Sequence, residues 1–141
     1  LLHDIGQLLM AAVAPAATAV AVERARSEEV PIVVAEQAVF GYDHAAVGAE
    51  LAQLWRLPGD IVRGIRAHHA PDSGDDGEMG DLVHLAEVIS HALDLGASPN
   101  NRVPEVSEIA LLRLGLGWPT LAGRFPAIEA RYQGICQALG I

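Results

Sequence analysis

The chain is short of several things at once, and each shortage narrows what it can be. Cys136 is the only cysteine, so there is no internal disulfide and no thiolate metal site. Aromatic residues make up 4% of the 141 residues although 51% are hydrophobic, so a core has to be built from Leu, Val, Ile and Ala. No long segment alternates apolar with polar residues, which argues against strands, whereas Ala and Leu favour helix. Basic residues are scarce: 9 against 18 acidic ones, a formal charge of −9. That balance argues against nucleic acid as the main partner. It leaves room for an anionic substrate, because a bound dication can dominate the local field. No apolar run free of charge and proline reaches the roughly 18 residues of a membrane span, and nothing resembles a signal peptide. The expectation is an all-α chain, cytoplasmic or the cytoplasmic module of a larger protein, with no membrane partner. Its length suits one domain over residues 1–141.

What is present centres on Leu1-Leu2-His3-Asp4-Ile5-Gly6-Gln7-Leu8-Leu9. An imidazole and a carboxylate adjacent in an apolar helical run are costly to bury unless they are paired or bound to a cation. A His-Asp pair can grip a divalent metal through nitrogen and oxygen, or it can be a helix-start aspartate beside a partly exposed histidine. The helical pattern already runs at Leu1 without a cap, so this is expected to be the C-terminal portion of a larger domain.

The pattern then predicts a succession of helices. Leu1–Val13 carries Leu1, Ile5, Leu8 and Leu9 on one stripe, and Pro15 closes it. Ala16–Glu29 is alanine-rich and then charged, and a third helix runs from Pro31 to Phe40 with Gly41 ending it. Asp43 is the N-cap of His44–Trp55, whose buried stripe is Val47, Leu51, Leu54 and Trp55, with Gly48 leaving room for close approach. Pro58 opens a helix that ends at His68 and His69, at least one of which points inward. The acidic loop Pro71–Gly80 lacks the spacing of a calcium loop. Asp81–Leu95 has a core stripe of Leu82, Leu85, Ala86, Ile89 and Leu93, with His84, Glu87 and His91 on an adjacent face and Gly96 as C-cap. Val106–Leu114 follows, then Gly115, Gly117 and Trp118-Pro119 break the chain. Thr120–Leu139 ends it, divided at Pro126. Trp55 and Trp118 are expected in a core or an interface.

The polar residues that could face a core are His3, Asp4, His44, His68, His69, His84, Glu87 and His91. Helix bundles build metal sites in this way, from imidazoles and carboxylates on facing helices. The ordered set is His-Asp, then a His near a helix start, then His-His at a helix end, then an acid within a helix. In that order it resembles the HD superfamily of metal-dependent phosphohydrolases. FGYDHAAVGAELAQLWRLPGDIVRGIRAHHAP and LVHLAEVISHALDLG resemble more closely the HDOD domain, an HD-related, all-helical output module of bacterial signalling proteins. The resemblance covers residues 1 to about 96 and implies a compact multi-helix bundle.

Carried over residue by residue, the resemblance implies a metal set of His3, Asp4, His44, His68, His69 and Glu87. Glu87 is one methylene longer than the family's aspartate. Three departures count against cleavage in the HD-GYP manner: Gln7 in place of a lysine, Ala70 in place of a glutamate, and no Gly-Tyr-Pro after Pro71. Two readings follow. In the first, the chain is a regulatory module that passes a signal to a protein partner, non-catalytic, with weak metal or none. In the second, it is a phosphohydrolase holding one or two of Mn, Fe, Mg or Zn. Its metal would activate water, with Asp4 bridging metals or acting as base and Arg63 or Arg66 holding phosphate. His91 reads as part of a polar helix face, and so does His84. An uncovered apolar helix also predicts self-association.

Overall fold

The structure, a computed structural model, describes residues 2–71, 77–95 and 102–140. Among these, every regular element is a helix. They run in the order α1 (Ile5–Val13), α2 (Pro15–Ser27), α3 (Ile32–Phe40), α4 (His44–Leu54), α5 (Gly59–Ala67), α6 (Glu78–Ala92), α7 (Glu108–Arg113), α8 (Trp118–Ala122) and α9 (Phe125–Leu139). The all-α expectation holds. Half of the expected loop Pro71–Gly80, residues 72–76, and the Gly96 cap lie outside the described residues.

Capping chemistry places several boundaries. Gly41 ends α3 at φ +79°, a left-handed conformation that glycine adopts without steric cost. Asp43 accepts from the Ala46 amide at 2.9 Å and so starts α4. Ser107 does the same for α7 through the Ala110 amide. Pro15, Pro119 and Pro126 each sit in the first turn of a helix, where a missing N–H costs nothing. The stretch 120–139 accordingly divides at Gly123 and Arg124, just ahead of Pro126, which sits in the first turn of α9, and Trp118-Pro119 opens α8.

The centre is held by close backbone approach. A Cβ on Gly6 would overlap the His44 carbonyl oxygen and come within 2.8 Å of the Gly48 amide nitrogen. α1 and α4 therefore cross at two glycines. The buried face of α4 is His44, Ala45, Gly48, Ala49 and Ala52. The expected stripe is displaced: Leu54 is 79% and Trp55 55% exposed, because only small side chains fit where α4 meets its neighbours. Ala49 and Ala52 pack on Val62 and Ile65 of α5, flanked by Leu57 and Ile61.

α6 begins a turn earlier than expected and buries Gly80, Asp81, His84, Leu85 and Val88. Leu82 and Ala86 are exposed on the side that faces a cavity. A second apolar cluster joins Leu85 to Ala110, Leu111 and Leu121. Across it Arg113 holds the fully buried Asp81 carboxylate in a fork, Nε to Oδ2 at 2.9 Å and a terminal nitrogen to Oδ1 at 2.8 Å. The same nitrogen donates to the Pro71 carbonyl, tying α7 to the end of the histidine segment. No helix among the described residues is long and apolar enough to cross a membrane.

Candidate metal centre

The His-Asp pair lies just before α1 and not within it. The Ile5 amide donates to Leu2 O at 3.1 Å and the Gln7 amide to Asp4 O at 2.9 Å, so the pair occupies the turn that feeds the helix. That turn aims Asp4 at the start of α4 and the end of α5. The ligand atoms of Asp4, His44, His68 and His69 lie within 4.8 Å of one another. His44 Nε2 is 2.9 Å from His69 Nε2 and 3.2 Å from Asp4 Oδ1, and His68 Nε2 is 3.7 Å from Asp4 Oδ1.

On His44 and His68 the opposite ring nitrogens are committed elsewhere. His68 Nδ1 donates to the Ile65 carbonyl at 2.6 Å. His44 Nδ1 is 2.7 Å from Glu36 Oε2, which also accepts the His44 amide at 2.9 Å. In the neutral form that a bound cation would require, Nδ1 carries the proton and Nε2 presents a lone pair inward. The two Asp4 contacts are not aligned as hydrogen bonds. Asp4 Oδ1, His68 Nε2 and Glu87 Oε2 are buried without a hydrogen-bond partner. Unpartnered buried polar atoms are rare, and here the Asp4 and His68 atoms converge on the two remaining imidazoles. The donor set fits a divalent cation: nitrogen and carboxylate oxygen, with a carboxylate fixing the His44 ring and a backbone carbonyl fixing that of His68.

The electrostatics fit as well. Burial pushes the Asp4 carboxyl upward, but the imidazoles of His3, His44 and His68 outweigh it and hold it well below the carboxylate range. Burial pushes His44 down, yet Asp4 and Glu36 raise it to about 9. Burial, together with the charges of His68 and His44, holds His69 down to about 2. Burial raises Glu87. The two carboxylates thus favour a proton on His44 while no cation is bound.

The other expected residues stand further out. His3 Nε2 contacts Asp4 Oδ2 at 3.2 Å, and its ring meets that of His68 edge-on at 5.1 Å. Glu87 Oε2 is 3.7 Å from His69 Nδ1, too long for a hydrogen bond. His84 is not an outward polar residue: it is buried, with Nδ1 donating to His68 O at 2.8 Å and Nε2 accepting the Ser107 amide at 3.1 Å. Both nitrogens are used, so His84 braces the His68 backbone.

A cavity of about 920 Å³ opens beside the cluster, lined by His3, Asp4, His69, Glu87 and His91 among aliphatic residues. Arg63 and Arg66 do not line it; they pair with Asp60 and Glu50. The arginine that does is Arg102, which donates to the Glu29 carbonyl. Glu36 was not singled out in the sequence; its one signal is a lone carboxylate inside the apolar run Ile32–Phe40.

A family model, the HDOD domain, matches residues 1–71. An uncharacterized protein of Treponema pallidum (strain Nichols) is 28% identical over 106 residues, which cover 74% of this chain and 20% of that protein. The chain therefore spans about a fifth of that relative's length. No solved structure matches significantly.

Proposed function

The chain belongs to the HDOD family, and we propose that it is a cation-binding output domain of a signalling protein, in which a bound metal organises the helices and substrate is not turned over. The observation that carries this reading is the convergence of Asp4 Oδ1 with the inward nitrogens of His44, His68 and His69, two of those atoms buried and unpartnered. Three imidazoles and one carboxylate suit zinc, iron or manganese. When bound, such a metal supplies a fixed positive charge that joins the turn before α1, the start of α4 and the end of α5. The chain's own part is to hold Asp4 ionised and the rings oriented.

Catalysis on a phosphate ester is less well supported. A basic group should face the substrate, yet Arg63 and Arg66 are engaged outside the cavity and Arg102, which lines it, donates to the Glu29 carbonyl, and Gln7, where the HD-GYP branch has a lysine, reaches His44 at 3.5 Å. A cytoplasmic setting and a protein partner downstream complete the reading.

The test is the metal content of protein purified without tag or chelator, beside Asp4→Ala. About one equivalent in the parent, lost in the variant, is expected. Equal content in both would contradict the assignment. Hydrolysis of a generic phosphodiester with manganese, above a His3→Ala control, would replace this reading with that of a phosphohydrolase.

A further inference from the structure

Glu36 is the charged group that the metal set leaves unexplained. It sits in α3, whose other residues are apolar apart from Gln37, and it is 3% exposed. Burying a carboxylate is expensive, and one acceptor oxygen would suffice to cap an amide. Glu36 Oε2 does more: it takes the first amide of α4, His44 N, at 2.9 Å, and the His44 Nδ1 at 2.7 Å. The other two rings lack this arrangement. His68 Nδ1 has only a backbone carbonyl, and His69 Nδ1 stands 3.7 Å from Glu87. Only His44 is oriented by a hydrogen-bonded carboxylate.

We propose that Glu36 is a positioning residue for the cation. Its carboxylate fixes His44 with the proton on Nδ1, delivers the Nε2 lone pair to the site, and makes His44 the strongest nitrogen donor of the three. The inference rests on the cation-binding reading above and assigns a role there to a residue that never touches the metal. Carboxylates that orient a ligating histidine typically contribute 10–100-fold in metal affinity. Because the same oxygen caps α4, α3 is coupled to the site through a single side chain.

The experiment is titration of the metal-free protein with cobalt(II), read by its visible d–d absorption, for the parent, Glu36→Gln and Glu36→Ala. Glutamine keeps a carbonyl oxygen for the His44 amide and loses the charge. The expected result is a Glu36→Gln protein that folds, melts below the parent without metal but above Glu36→Ala, binds cobalt about 10–100-fold more weakly, and shows an altered band. Glu36→Ala should lose melting temperature as well. Parent-like affinity and spectrum in Glu36→Gln would overturn the proposal and leave Glu36 as a helix cap. A parent that takes up no cobalt would overturn the cation-binding reading, and this inference with it. Should Glu36→Gln not fold, ¹⁵N resonances of the zinc-loaded parent decide the matter. A His44 proton on Nδ1, slowed in exchange, supports the assignment, and a proton on Nε2 refutes it.

Discussion

At the scale of single residues, His44 shows how the cluster's charge is arranged. Two carboxylates, Asp4 and Glu36, lie within 3.2 Å of its ring nitrogens. A base whose pKa is raised on folding stabilises the native state fully below its unfolded value and ceases to do so as pH climbs through the folded one. For His44 that window runs from 6.5 to about 9. Glu87, raised by burial, acts with the same sign above its ordinary 4.5. Asp4 and His69 are depressed, so their contributions change only as pH falls below their ordinary values of 3.8 and 6.5. The chelator-treated protein should therefore lose melting temperature steadily between about pH 6.5 and about pH 9. Thermal melts across that range check this, and a midpoint that rises with pH would contradict it.

At the scale of elements, the site depends on how closely α1 approaches α4. Gly6 lets the backbone of α1 lie on the His44 carbonyl, and Gly48 meets Ile65 Cγ2 at 3.0 Å from where its own Cβ would stand. Gly6→Ala has no flexible side chain to displace, since its new methyl group meets backbone. It should cost about 3 kcal/mol of stability and weaken cation binding together with it, because Asp4 and His44 are the groups moved apart. Denaturant unfolding gives the first quantity and cobalt titration the second. An unchanged unfolding midpoint would show that α1 can shift without loss. The motif glycines and histidines that govern this crossing are legible as spacing. The displaced faces of α4 and α6 are not, because hydropathy ranks Leu54, Trp55 and Leu82 as core and cannot weigh the room that two crossing backbones leave.

At the scale of the whole molecule, apolar surface remains open. Leu8, Val13, Leu54, Ile135 and Leu139 are exposed, and α9 buries none of its residues. Such surface usually finds a partner. Light scattering at high concentration should give a mass above that of the 14.8 kDa chain, and a monomer under those conditions would rule self-association out.

The amino-acid sequence by itself determined the helical class, since composition and periodicity leave strands no support, and it determined the candidate donors, since imidazoles and carboxylates are identifiable by type. Tertiary structure alone decided which donors meet. Asp4, His44, His68 and His69 converge because a turn, a helix start and a helix end are packed together, and sequence spacing carries no information on how separate elements lie. It also decided which polar groups do other work. His84 braces His68 O, Arg63 and Arg66 pair with Asp60 and Glu50 and do not line the cavity, and Glu36, one acid in an apolar helix, becomes the partner of His44. Each of these depends on a contact between residues far apart in the chain, and the energy that selects it exists only once the helices have packed.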